Sequence, residues 1–218
     1  MTSLRSIPAL RTLAPAELAE WAGRSRPVRF PAGAVLRAAG ERPRHVVLLL
    51  SGTVAAGHGG TGGVDTLPER WAGPTIVDKA AVLSTEPPAT GLTAMTAIST
   101  RLLPCADFVR LMGEQPAVRD HVLAHLARDV LTGRRRLAQA ATLPAVARVA
   151  VWLREQNPDR RVAWAGSQEQ LARMLGLSRV TVNRALARLS RSGAVRLTAG
   201  GIVVADRTRL DAEIEGKS

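Results

Sequence analysis

The sequence predicts an α+β chain in three parts: a strand-rich N-terminal region, one long helix, and a basic C-terminal unit. Three observations carry this. Between residues 26 and about 104, turn residues interrupt short apolar runs every few positions, the rhythm of an antiparallel sandwich or barrel. Beyond Ala106 the apolar period becomes helical and stays so for about 25 residues from Pro116. Residues 167–205 then hold two short helical patterns joined at a glycine, followed by two alternating runs. The corresponding boundaries are 1–115, 116–141 and 142–218.

In the first part the strand candidates are Val28–Phe30, Val35–Arg37, Val46–Leu50, Val54–Ala56, Leu92–Ile98 and Thr100–Leu103. Pro31-Ala-Gly33, Gly40-Glu41, Ser51-Gly52 and the Gly57–Gly63 run separate them, and Pro87-Pro88 reads as a loop. The glycine run lacks the Lys-Ser/Thr ending of a phosphate-binding loop and reads as a hairpin tip. Asp107–Gly113 is a short helical piece, and Pro116 suits the first position of the next helix. That helix places Val118, Val122, Leu126, Val130, Gly133 and Leu137 three or four apart. Such a narrow seam suits a two-stranded contact with a second copy, or a face laid on the strand domain. A further helix carries Val146, Val149, Val151, Trp152 and Leu153, with Thr142 as its cap, Pro144 in its first turn and Asn157-Pro158 as its stop.

The C-terminal unit is the most specific. Ser167-Gln-Glu-Gln170 fits a capping box, and Leu171, Ala172 and Leu175 give one apolar face. Gly176 suits a left-handed turn, Leu177 a corner between helices, and Ser178 the cap of a second helix. In that helix Val182, Ala185, Leu186 and Leu189 form the buried stripe. The other side carries Val180, Asn183, Arg184, Ala187 and Arg191, with Arg179 and Arg188 on the shoulders and no acid among them. Ala194–Leu197 and Ile202–Ala205 form a hairpin around Thr198-Ala-Gly-Gly201, so the unit is a winged helix-turn-helix.

Charge agrees with this division. The chain has 30 Lys and Arg against 18 acids, a net +12. Residues 1–133 carry +3 and residues 134–218 carry +9. A basic unit with a free arginine face expects a polyanion, double-stranded DNA above all. Arg and Asn can read guanine and adenine edges, and serines and helix N-termini can hold phosphates. Val180 can touch a thymine methyl. The DNA-contact candidates are Ser167, Ser178, Arg179, Val180, Thr181, Asn183, Arg184 and Arg188.

Other classes find little support. A single cysteine, Cys105, permits no internal disulfide and no cysteine cluster for iron–sulfur chemistry. No apolar run approaches the roughly 18 residues of a membrane span, and no signal-peptide pattern opens the chain. A cytoplasmic protein without a membrane partner is expected. No nucleophile–base set or paired carboxylates suggest an enzyme. His45, His58, His121 and His125 are the available axial ligands for haem, and His121 and His125, four apart on the long helix, are the candidates for a metal, or else the polar margin of that helix.

Taken over Leu18 to Asp206, the succession of strand domain, long helix and SQEQLARMLGLSRVTVNRALARLSRSGAVRLTAGGIVVA resembles the Crp/Fnr family of bacterial transcription regulators. The resemblance implies an N-terminal cyclic-nucleotide-binding-type β-roll, a dimerisation helix, and a recognition helix starting at Ser178-Arg179-Val180-Thr181. It implies a homodimer reading an inverted repeat, with RNA polymerase as a further partner. Regulation would then change the angle between the two DNA-binding heads through the long helix.

Two departures qualify this. Family members that read TGTGA-type half-sites carry a glutamate where this chain has Val180, so the acceptor for cytosine is missing. Members that bind cyclic nucleotides use a Gly-Glu pair for the ribose and an Arg-Ser or Arg-Thr pair for the phosphate. Here Val77-Asp78 and Ala89-Thr90 (or Pro88-Ala89) stand there, no arginine lies between Arg70 and Arg101, and Lys79 is the one cation nearby. Thr132 remains near the adenine-contacting position of the long helix, without the serine that follows in members. Val77, Asp78, Lys79, Ala89, Thr90 and Thr132 are thus the effector-pocket candidates. No cofactor is expected, cyclic AMP does not act in the usual way, and the effector is unassigned. The alternatives are a cyclic-nucleotide-activated regulator, an unspecific basic DNA-coating protein with a degenerate sensor, and a small-molecule- or metal-binding module that uses DNA secondarily.

Overall fold

A computed structural model of the chain describes residues 3–57, 59–60, 63–64, 69–84, 86–156, 161–162, 168–198 and 201–216. The chain divides into two compact units, residues 1–131 and 132–218, with the division inside the long helix.

In the first unit, α1 (Pro15–Arg24) leads into β1 (Arg26–Phe30), β2 (Val35–Arg37), β3 (His45–Ser51) and β4 (Thr53–Gly57). The short strands β5 (Gly59–Gly60) and β6 (Gly63–Val64) pair with each other, followed by β7 (Glu69–Ala72) and β8 (Thr75–Val77). After α2 (Lys79–Leu83) come β9 (Gly91–Ala94), β10 (Ile98–Pro104), α3 (Cys105–Glu114) and α4 (Pro116–Thr142). Two four-stranded antiparallel sheets result, ordered β1-β10-β3-β8 and β2-β9-β4-β7. The expected run Leu92–Ile98 is split, because a turn at residues 95–97 sends β9 and β10 into different sheets.

The burial of β3 explains its unbroken apolar sequence. Val47 and Leu49 point into the space between the sheets with Val54, Trp71, Val77 and Leu92. Val46, Leu48 and Leu50 point the other way, onto Leu10, Trp21, Phe108, Val118 and Val122. A strand buried on both faces shows no alternation. Between β3 and β4, Gly52 has φ +89°, and a Cβ there would lie 2.6 Å from the Ala97 carbonyl oxygen, so the turn admits only glycine.

The second unit begins in α4 and continues with α5 (Ala145–Gln156), β11 (Arg161–Val162), α6 (Gln168–Leu175) and α7 (Arg179–Arg191). β12 (Val195–Thr198), β13 (Gly201–Val204) and α8 (Arg207–Glu215) complete it. Its core joins Val149, Leu153, Leu171, Val182, Leu186, Leu189, Val195 and Leu210. Thr142 does not cap α5: α4 runs through it, and its hydroxyl donates to the Ala138 carbonyl at 2.7 Å. The Asn157-Pro158 stop lies outside the described residues. No described helix is long and apolar enough to cross a membrane.

Candidate nucleic-acid interface

The helix-turn-helix is built from local chemistry. α6 ends in a closed turn: the Leu177 N–H donates to the Ala172 carbonyl at 2.8 Å, and Gly176 takes φ +59°. This is the six-residue closure of a helix C-terminus that left-handed glycine permits. Arg148 of α5 donates to the Leu175 carbonyl, satisfying a second group at that end. The Ser178 hydroxyl then accepts from the Thr181 N–H at 3.1 Å and caps α7. Ser167, the proposed cap of α6, lies outside the described residues.

Packing decides what α7 presents. Val182, Ala185, Leu186 and Leu189 are buried. Ser178, Arg179, Val180, Arg184, Ala187, Arg188 and Arg191 are exposed, and Thr181 and Asn183 are half-buried. Among the described residues, no ion pair engages Arg179, Arg184 or Arg191. Val180 is 57% exposed, an apolar side chain in the middle of a cationic face. The Oδ1 atom of Asn183 is buried with no hydrogen-bond partner among the described residues.

Arg188 differs from its neighbours. Its Nη2 lies 3.0 Å from the carboxylate of Glu213 on α8, which is almost wholly buried. The guanidinium is half exposed but already bridges two helices. α8, which the sequence reading did not single out, is capped by Asp206, whose side chain accepts from the Arg209 N–H at 3.1 Å. The polar-rich pattern RTRLDAEIE hid it, because only Leu210, Glu213 and Ile214 turn inward. The hairpin β12–β13 pairs Val195 with Val204 and Thr198 with Gly201, and β11 adds a third strand. Arg196, Leu197 and Thr198 on β12 are exposed.

The effector-pocket candidates fall into two groups. Val77 is buried between the sheets, Ala89 is exposed, and Thr132 belongs to the second unit. Asp78 and Thr90 are brought together by Arg37, which is distant from both in sequence. Its Nη1 is 2.7 Å from Asp78 Oδ2, and its Nη2 donates to the Thr90 carbonyl at 2.9 Å. Lys79 is buried, and its Nζ donates to the Ile76 carbonyl at 2.9 Å. Desolvation lowers its pKa, against the attraction of Asp129, Glu69 and Asp78.

His125 Nδ1 lies 2.9 Å from Asp129 Oδ2. Among the described residues no group of three His, Cys, Asp or Glu gathers as a metal site. Burial, reinforced by His125, Lys79 and Arg128, pushes the His121 pKa below its ordinary 6.5. The folded state therefore disfavours protonated His121, and stability falls as pH drops from about 6.5 toward the lowered value. In urea titrations from pH 8 to 5, His121→Gln should flatten that decline by a slope of less than one proton. An unchanged slope would refute the assignment.

Comparison with known proteins places this architecture. Residues 146–213 match the family model described as a Crp-like helix-turn-helix domain. The CRP-like cAMP-activated global transcriptional regulator of Mycobacterium tuberculosis is 24% identical over 204 residues, covering 90% of this chain and 91% of that protein. A mutant CooA from Carboxydothermus hydrogenoformans superposes with a TM-score of 0.77 at 17% identity, over 98% of this chain and 95% of that one. FixK2 from Bradyrhizobium japonicum gives 0.70 at 20% identity, over 86% and 96%. The fold is the Crp/Fnr fold, a β-roll and long helix followed by a helix-turn-helix domain. The chain therefore carries a Crp-like helix-turn-helix domain over residues 146–213 and is similar over most of its length to a CRP-like transcriptional regulator.

Proposed function

We propose that the protein is a homodimeric, sequence-specific regulator that reads an inverted repeat in double-stranded DNA without needing cyclic AMP. The observation that carries this is the α7 face: capped at Ser178, packed through Val182, Leu186 and Leu189, and presenting Arg179 and Arg184, which have no ion pair among the described residues, around exposed Val180. Arg179 and Arg184 suit guanine edges, Asn183 suits adenine, and Val180 suits a thymine methyl. Ser178 and Thr181, at the start of the helix, suit phosphate. Arg188, engaged by Glu213, reaches phosphate only by keeping or trading that partner.

Dimerisation is supported by α4. Leu123, Val130 and Leu137 recur every seven residues and are 55%, 54% and 73% exposed, the spacing of a two-stranded seam. Two recognition helices related by a two-fold axis would enter successive major grooves roughly 34 Å apart. RNA polymerase is the further partner such a regulator would meet.

The test is selection from a randomised duplex pool by the ligand-free protein at near-physiological salt, with sedimentation to measure its size. Enrichment of an inverted repeat by a dimer is the expected result. Equal recovery of all duplexes with a steep salt dependence would overturn it in favour of unspecific coating. In the same assay Val180→Glu should change the preferred base at one symmetric position, because a carboxylate accepts from cytosine and repels an acceptor edge. An unchanged logo would remove Val180 from the reading face.

A further inference from the structure

The Mycobacterium relative is described as cAMP-activated, and the position a cyclic phosphate would need can be tested against these residues. Arg37 is the guanidinium nearest Asp78, and it is already neutralised. It is 7% exposed, with Nη1 against Asp78 and Nη2 on the Thr90 carbonyl, while its buried Nε has no partner among the described residues. The Asp78 contact is a close approach of charges in which Oδ2 accepts no aligned hydrogen bond. An entering phosphate would have to displace the Asp78 carboxylate and leave it buried without its cation, which is costly. The residues do not fit a cyclic nucleotide.

Local backbone is arranged around this pair. The pairing of β2 with β9 shifts register between Val35 and Arg37, an irregularity that re-aims side chains. Val35 is consequently 66% exposed while Arg37 is buried, the reverse of their chemical preference. Asp78 is the one non-glycine residue with positive φ, 50°, among the described residues. It stands at the N-cap of α2, yet its side chain makes no capping bond and turns to Arg37 instead. A register irregularity and a left-handed residue, a conformation aspartate tolerates better than most, thus converge on one contact.

We propose that the Arg37–Asp78 pair is a built-in counterpart of an effector: the chain's own charges tie β2, the start of α2 and the segment at Thr90 together, so the roll is closed without ligand and takes no cyclic nucleotide. The inference rests on the first unit alone and is independent of the DNA-binding reading.

Calorimetric titration of the full-length protein with cyclic AMP and with cyclic GMP tests it first. No saturable heat is expected at millimolar nucleotide, and one-site binding by either would overturn the proposal. A double-mutant cycle with Arg37→Met, Asp78→Asn and the pair, read by urea unfolding, tests the tie. Asparagine tolerates the left-handed backbone, so the second change removes charge only. Each single change should lower the folding constant at least about 100-fold by stranding a buried charge, and the double change should cost less than the sum. Additive costs would overturn the proposal. Should a single variant fail to fold, the wild-type titration and the stability of the double variant relative to wild type still decide it: a double variant as unfolded as the singles counts against the tie.

Discussion

Replacing Arg179 and Arg184 together by alanine should erase the preference for the selected half-site while leaving the second unit folded. Each bidentate contact to a guanine contributes about 1–3 kcal/mol of discrimination. Losing two therefore removes about 2–6 kcal/mol, a fall of roughly 30- to 20,000-fold in affinity for the specific duplex. Binding to random duplex should fall far less, because the remaining cationic surface, Arg191 and Arg196 included, is untouched. Both side chains are exposed and make no ion pair among the described residues, so thermal unfolding should move little. Fluorescence anisotropy with specific and scrambled duplexes checks it. A uniform loss on both duplexes would mean that α7 holds phosphates without reading bases.

The second large effect is on stability. Leu189 is fully buried in the core of the second unit, in the same cluster as Val149, Leu153, Leu186 and Val195. Truncation to alanine at such a site costs about 2–5 kcal/mol, the transfer term plus the cavity left behind. For a unit of this size each kcal/mol lowers Tm by about 4–8 °C, so Leu189→Ala should melt roughly 8–40 °C below the parent. Leu189 faces away from Arg179, Val180 and Arg184. DNA affinity measured well below the new Tm should accordingly stay within a few fold. A variant that melts normally but no longer binds would contradict the separation of core and reading face. Differential scanning calorimetry paired with anisotropy at low temperature makes the comparison.

Much of the second unit was legible because its signals are local. Gly176, Ser178 and the i, i+3, i+4, i+7 stripe of α7 each act within one or two turns of chain. The two strands of the wing could likewise be read from alternation, whereas their register comes from the structure. α8 escaped because a helix of nine residues that buries one leucine, one glutamate and one isoleucine carries almost no apolar period. Glu213 is buried where it meets Arg188, 25 residues away in sequence. The same encounter takes Arg188 out of the set of free arginines, which no periodicity could reveal.

The first unit is legible in the sequence as antiparallel strands but incompletely as chemistry. Between Arg70 and Arg101 the sequence holds one cation, Lys79, whereas the guanidinium beside Asp78 comes from Arg37 on β2, a strand of the other sheet. Lys79 itself turns inward to a backbone carbonyl. The sequence alone determined the helix-turn-helix, its cationic face and the chain's basic imbalance, since these follow from short-range spacing and composition. Only the tertiary structure decided which charges are spent on one another, because ion pairs such as Arg37–Asp78 and Arg188–Glu213 form between segments that folding, not sequence proximity, brings within 3 Å.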